Sequence, residues 1–419
     1  MSNNMFNIDE KLLSLSNRAI AMTKKQFTNI DEITQYNQQK VLKAFIDNNV
    51  SENHFIQSTG YGYSDRGRDT LDKVFASIFE AEDALVRHNF VSGTHALTVA
   101  LFGVLRPNDT MLCVTGQPYD TLRGVIGIDK CTSGSLKEFS INYKQIDLKE
   151  NGTLDFERIK KEVHKGLKMV YIQRSRGYTL RPSLFVQDIS KVSKIVKSID
   201  PNCIVMLDNC YGEFVEKSEP LSNGVDLMAG SLIKNPGGGI APTGGYIAGK
   251  KALVEQCSYR LTTPGTGREI GATLNQNREL YMGIFSAPHV TGEALKTAVF
   301  ASAFFELLGY EVYPRYSHSR ADIIQSIKLG SIERLVAFCQ GIQKGSPIDA
   351  FVKPEPWDMP GYNNKVIMAA GAFTLGASIE LSADAPLREP YAVFMQGGIN
   401  FHSAKVGVML AAQEMLERG

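Results

Sequence analysis

From residue 85 onward the chain alternates short apolar runs with stretches of helical periodicity, and this alternation limits the fold more than any other feature. The runs are Leu85–Val91, Thr110–Val114, Met169–Gln173, Cys203–Leu207, Leu227–Ala229 and Gly245–Ala248. Helices are expected between them at Thr94–Leu105, Asp155–His164 and Ile189–Ser198. Short apolar strands separated by helices predict an α/β layered fold with a mostly parallel sheet. In such sheets ligands bind beyond the carboxyl ends of the strands.

A chain of 419 residues is too long for one simple core and splits into two units. Ahead of the alternation, residues 8 to 50 read as helical, with Leu12, Leu13 and Leu15 followed by Ile30, Ile33, Val41, Leu42, Phe45 and Ile46. A Gly- and Tyr-rich segment, Ser58 to Gly67, leads into a helix from about Thr70 to Glu82. Thr262 to Gly271 (TTPGTGREIG) reads as a mobile loop, and a long helix is expected from Leu295 to Leu308. The expected division is an N-terminal helical segment over 1–57, a large domain over 58–292 and a smaller C-terminal α+β domain over 293–419.

Charge excludes some partners. Lys plus Arg (45) nearly cancels Asp plus Glu (44), which leaves no electrostatic footprint for nucleic acid or an anionic membrane. No run approaches the roughly 20 apolar residues of a membrane helix, and no signal peptide is recognisable. The six cysteines form no C-x-x-C pair and the seven histidines are dispersed, so neither a disulfide framework nor a metal site is expected. A reducing, cytoplasmic setting follows.

Four stretches carry chemistry. Val205–Met206–Leu207 ends in Asp208, a carboxylate where a buried strand surfaces, which is costly without a partner charge or donors. Alone it would read as a cap or turn aspartate. Downstream, Ser231–Leu232–Ile233–Lys234–Asn235–Pro236 runs into three glycines, Gly237 to Gly239. Most lysines are simply solvated. A lysine in an uncharged, Gly-rich loop after an apolar strand is better suited to lose its proton and form an imine with a carbonyl. Ser92, Gly93 and Thr94 stand where a strand enters a helix, an anion site in form though a common cap sequence. Tyr119 follows the strand at Thr110–Val114, either as a core tyrosine or stacked on a planar cofactor.

Together these stretches resemble the fold-type I enzymes that use pyridoxal 5′-phosphate (PLP), and within them the cystathionine and methionine γ-lyase group. The resemblance covers nearly the whole chain and extends to the bacterial "aluminium resistance" branch, through Gly60–Tyr63, Gln173–Tyr178 and Met395–Gly398. It implies a three-layer sandwich around a mostly parallel seven-stranded sheet. It assigns Ser92, Gly93, Thr94 and Ser231 to the cofactor phosphate and Tyr119 to stacking on the ring. The D-N-x-Y motif gives Asp208 to the pyridinium nitrogen and brings in Tyr211. The S-x-x-K motif gives Lys234, 26 residues on, as the Schiff-base lysine.

The sequence also departs from the group. An early Y-S-R motif that reaches the neighbouring subunit's cofactor is replaced by Tyr63–Ser64–Asp65–Arg66, with Arg66 standing in for the arginine. An acidic E-x-P-x-N-P stretch is replaced by Gln173–Arg174–Ser175–Arg176, so Gln173 takes a cofactor-facing place with different contacts. Arg388 is the candidate clamp for a substrate α-carboxylate, against the alternative of a surface arginine paired with Glu389.

The implied activity is elimination of a sulfur group from the β or γ carbon of an amino acid. Lys234 would move the α-proton, and Tyr119 would serve as acid at the leaving group. Transamination, racemisation or decarboxylation would use the same lysine and aspartate, and a non-enzymatic metal-tolerance protein is the reading from another class. The resemblance also implies a homodimer or homotetramer with shared active sites.

Overall fold

The computed structural model describes residues 4–359, 362 and 364–418. The chain opens on α1 (Glu10–Asp47), a single long helix whose first turn is capped by the Asp9 carboxylate accepting from the Lys11 N–H at 2.7 Å. Next comes α2 (Arg66–Ile78), and the alternation then begins: β1 (Asp83–Arg87), α3 (Gly93–Val104), β2 (Thr110–Cys113), α4 (Asp120–Ile126), β3 (Asn142–Gln145), α5 (Phe156–Glu162), β4 (Met169–Gln173), α6 (Val186–Ile199) and β5 (Ile204–Asp208). It continues through β6 (Leu227–Ser231), β7 (Gly245–Gly249), α7 (Lys251–Leu261) and the long α8 (Asn277–Leu307). The smaller unit is built from β8 (Glu311–Tyr313), β9 (Gln325–Lys328), α9 (Ile332–Lys344), β10 (Val366–Ala369), β11 (Ser382–Pro386), β12 (Ala392–Gln396) and α10 (Phe401–Arg418).

Seven strands form the large sheet in the order β1-β7-β6-β5-β4-β2-β3, parallel except for β7. Alternate side chains feed two cores. Val170, Ile172, Val205 and Leu207 enter one, and Met169, Tyr171, Ile204 and Met206 enter the other. Burial on both faces is why these strands read as unbroken apolar runs. The second sheet, β10-β11-β12-β9-β8, is antiparallel. One of its faces packs on α9, α10 and the end of α8.

The central strands lie where the sequence puts them, and the differences have local causes. β3 was not expected because its residues (NYKQ) alternate between exposed and half-buried and make no apolar run. Neither α4 nor α7 was expected. β1 ends at Arg87 rather than Val91, and α2 starts four residues before Thr70. α8 begins at Asn277 rather than Leu295, because Pro288 and Gly283 interrupt its periodicity without breaking the helix. Gly283 is required there, since a Cβ would fall 2.5 Å from the Gly237 carbonyl oxygen. The expected boundary at 292/293 therefore falls inside one continuous helix.

Thr262–Gly271, read as a mobile loop, is tied down: Gly271 N–H donates to the Tyr61 carbonyl at 2.9 Å, and Arg268 pairs with Asp83 at 2.8 Å. The apolar stripe of α1 packs on its own chain. Ile8, Leu12 and Ala19 join the core of the small unit, and Val41 and Ala44 that of the large one.

Candidate active site

The site lies beyond the carboxyl ends of the parallel strands. Asp208 is the last residue of β5, between Gln173 of β4 and Ala229 of β6. It is 6% exposed, and its carboxylate accepts the Cys210 N–H at 3.1 Å. Burial raises its pKa, opposed by the positive charge of Lys234 and the Cys210 N–H. Tyr211 holds a left-handed conformation (φ 71°) that costs a bulky residue about 1 kcal/mol or more. That turn carries its ring under the Lys234 amine, which lies 4.1 Å from the ring centre. Burial works against the Lys234 charge, but the acidic groups Cys210, Tyr211 and Asp208 outweigh it and raise the pKa of the amine.

The backbone after β6 explains how Lys234 is held. A Cβ on Gly237 would fall 1.6 Å from the Leu232 carbonyl oxygen, so only glycine allows this turn to close around the lysine. The carboxamide of Asn235 donates to the Glu213 carbonyl at 2.9 Å, and the Tyr246 hydroxyl donates to the Glu213 carboxylate at 2.7 Å. Burial pushes Glu213 up to about 7. Arg174 is fully buried and fastens the loop after β5 through Asn209 at 2.8 Å, the Gly212 carbonyl at 2.9 Å and Glu216 at 2.6 Å.

On the other flank, Ser92 caps α3 by accepting the His95 N–H at 3.0 Å. A Cβ on Gly93 would lie 3.1 Å from the Cβ of Ser231 and 3.6 Å from the Cys210 sulfur. The missing side chain leaves a cradle between the helix start, Ser231 and the loop after β5, where a phosphate would meet backbone N–H groups and the positive end of the helix dipole. Thr94 is linked by its hydroxyl to Thr121 on α4 at 2.7 Å. Cradle, buried acid and lysine together suit PLP: an anion site, a partner for a ring nitrogen and an amine for an aldehyde.

Gln173 acts by positioning. Its Oε1 accepts the Tyr119 N–H at 2.7 Å and its Nε2 donates to the Ser175 carbonyl at 3.2 Å. Tyr119 belongs to a phenol cluster that the sequence did not reveal: its hydroxyl meets that of Tyr362 at 2.7 Å, and its ring lies edge-on to Tyr178 at 5.6 Å. Burial raises the Tyr119 phenol well above its usual value, so it stays protonated. Beside it lies a cavity of about 220 Å³ lined by Tyr119, Gln173, Arg123, Arg176, Arg181 and Arg388 among others. Arg388 is exposed at this cavity and has no ion-pair partner among the described residues, Glu389 included. Arg181 is depressed to about 10 by burial first and Arg176 second.

Tyr63 and Arg66 stand apart from this cluster. Tyr63 is 63% exposed and stacks on Tyr61, and Arg66 is exposed at the start of α2. It is Arg68, passed over in the sequence, that is buried, donating to the carbonyls of Gly62 at 2.8 Å and Gly271 at 3.0 Å.

The methionine gamma-lyase family model matches residues 12–416. The chain belongs to the methionine γ-lyase family. It is accordingly a carbon–sulfur lyase of fold type I, a class that works with PLP. The chain is 49% identical over 390 residues to the YnbB protein of Bacillus subtilis, covering 93% of each. A carbon–sulfur lyase involved in aluminium resistance from Clostridium novyi superposes with a TM-score of 0.94 at 53% identity, over 97% of this chain and 96% of that one. L-methionine gamma-lyase of Treponema denticola is 26% identical over 221 residues, covering 52% of this chain and 50% of that protein. Among the described residues no group of three or more His, Cys, Asp or Glu is placed to hold a metal ion, and no helix is long and apolar enough to cross a membrane.

Proposed function

We propose that this chain holds PLP on Lys234 and eliminates a sulfur leaving group from the β or γ carbon of an amino acid. The observation that carries the reading is the Lys234 amine poised over Tyr211 with the buried acid Asp208 beside it. Ser92, Gly93, Thr94 and Ser231 would hold the phosphate and Tyr119 would cover the ring face. When bound, PLP supplies an electron sink for the pair left at the substrate's α-carbon. Asp208 keeps a proton on the ring nitrogen, and Lys234 takes the proton from the α-carbon. Tyr119, protonated at its hydroxyl, is the acid facing the leaving sulfur. Arg388 at the mouth of the arginine-lined cavity clamps the α-carboxylate.

The test is product analysis with PLP-loaded protein on L-cystathionine, L-methionine and L-cysteine. Elimination yields pyruvate or 2-oxobutanoate with ammonia and a thiol or sulfide. A D-amino acid or a decarboxylated amine as the product would overturn the reading.

We place Tyr63 and Arg66 at the active site of a second copy. The exposed apolar residues Ile56, Tyr61, Tyr63 and Val91 support a homo-oligomer with shared sites. Mixing Lys234→Ala protein with Tyr63→Phe/Arg66→Ala protein, each inactive, should restore about a quarter of the wild-type activity by random reassortment into dimers. No recovery after verified subunit exchange would count against sharing. The six free cysteines fit a cytoplasmic setting.

A further inference from the structure

A loop of the small unit reaches the active site through one side chain. Between α9 and β10 the chain doubles back, and Trp357 and Val366 close its base by exchanging N–H···O bonds of 3.1 Å in both directions. The Lys365 carbonyl accepts the Leu387 N–H at 2.9 Å, which ties that base to the residue before Arg388. Tyr362 lies within this loop, and its N–H donates to the Met359 carbonyl at 3.2 Å. One connected piece of backbone thus carries both Arg388 and Tyr362 to the Tyr119 side of the site.

Tyr362 meets Tyr119 hydroxyl to hydroxyl at 2.7 Å, with the rings 6.3 Å apart and nearly perpendicular at 87°. The Tyr178 ring lies against both, 5.6 Å from Tyr119 and 5.8 Å from Tyr362, and holds them in place. A separation of 2.7 Å is an ordinary O–H···O bond, in which one hydroxyl donates and the other accepts. When Tyr119 points its hydrogen at a leaving sulfur, its oxygen is left to accept. The Tyr362 hydroxyl is then the donor.

This contact bears on how sulfur leaves. Burial holds the Tyr119 phenol well above its usual value, so giving up its proton would strand a phenolate where charge is disfavoured. A hydrogen bond aimed at that oxygen favours the phenolate, and it strengthens as the charge develops. Burial raises Tyr362 as well, so it too holds a proton at neutral pH. Tyr362 is half-buried and keeps part of its surface on water.

We propose that Tyr362 is a positioning residue for sulfur departure, donating to the Tyr119 oxygen and replacing the proton that Tyr119 gives up. The inference rests on the elimination reading above. In the β form of that reaction the α-C–H bond breaks, its proton goes to Lys234 and its electron pair becomes the new C=C bond. The C–S bond breaks with its pair on sulfur, and the Tyr119 proton completes the S–H bond. Tyr119 takes the Tyr362 proton, and Tyr362 takes one from water. Water later receives the proton that Lys234 took, so a neutral thiol leaves and the count closes.

The test uses PLP-loaded enzyme and two S-substituted cysteines, one releasing an alkyl thiol and one a nitrothiophenol, whose thiolate leaves without a proton. Tyr362→Phe keeps the ring and removes the hydroxyl. It should lower kcat for the alkyl substrate about 10- to 10²-fold and for the aryl substrate less than about twofold, with KM little changed. In a Tyr119→Phe background the same substitution should add less than about twofold, because a residue that works through Tyr119 has nothing left to act on. Equal slowing of both substrates, or the full further loss in the Tyr119→Phe background, would reduce Tyr362 to a structural contact and overturn the proposal.

A second readout leaves sulfur out. L-Alanine has no leaving group, and exchange of its α-hydrogen in deuterium oxide calls on Lys234 and the cofactor but not on Tyr119 as an acid. Tyr362→Phe should exchange at the wild-type rate, which also shows the variant to be folded and loaded. A loss of exchange that matches the loss of thiol release would overturn the proposal and leave the elimination reading standing. Wild type that exchanges the alanine hydrogen but releases neither thiol would instead fell the elimination reading, and the proposal with it.

Discussion

Lys234→Ala protein should lose keto-acid release by about 10⁴-fold or more while keeping its fold, because one side chain carries two duties. The lysine tethers the cofactor and moves the α-proton. Removing it leaves the turn at Asn235–Gly239 intact, since that turn is fixed by backbone packing, by Asn235 on the Glu213 carbonyl and by the close approach of Gly237 to Leu232. The variant should therefore match wild type in far-ultraviolet circular dichroism. Its denaturant midpoint should fall, because the acidic groups that outweigh the burial of the amine lose their partner charge. Addition of methylamine should recover a measurable fraction of activity by supplying the missing base. Retention of more than about a tenth of wild-type activity would mean that another group does the work.

Asp208→Asn should lower kcat by about 10²–10³-fold, with the cofactor still bound. An asparagine fills the same space and still accepts the Cys210 N–H, but it cannot hold a proton on a ring nitrogen by charge. The loss should appear in kcat rather than KM, since no substrate atom touches Asp208. The sign of the pH effect follows from its environment. Burial raises the folded pKa of Asp208, so its carboxylate opposes folding, and only when it is ionised. That cost is absent at low pH, grows as pH rises through the unfolded carboxylate range and levels off above the folded pKa. Asp208→Asn, which cannot ionise, should then gain stability relative to wild type from acid to neutral pH in cofactor-free protein, read as denaturant midpoints across that range. Equal kcat for variant and wild type would remove Asp208 from the chemistry.

Much of the fold was legible because the large sheet is buried on both faces. β4 matched at both ends, and β2, β5, β6 and β7 were displaced by no more than two residues at either end. The edge strand β3 was invisible for the opposite reason: a strand with one neighbour and few buried side chains has no apolar run. α8 hid its start behind Pro288 and Gly283, whose purposes are tertiary.

The site was legible where one short motif carries it. Asp208, Tyr211, Ser231 and Lys234 meet because two adjacent strands end side by side. Tyr178 and Tyr362 went unread since they arrive beside Tyr119 from loops far apart in the chain. Arg68 and Arg174 illustrate a further limit. An arginine's duty depends on which carbonyls surround it, and nothing in the local sequence separates Arg68 from Arg66.

The central claim is that Lys234 bears the cofactor, and it is tested most directly on the wild-type chain. Protein incubated with PLP would be reduced with borohydride, digested and mapped by mass spectrometry. The account predicts a single pyridoxyl-modified peptide, with the added mass on Lys234, and a visible absorption band that disappears on reduction. Modification spread over surface lysines, or a dominant site other than Lys234, would contradict it.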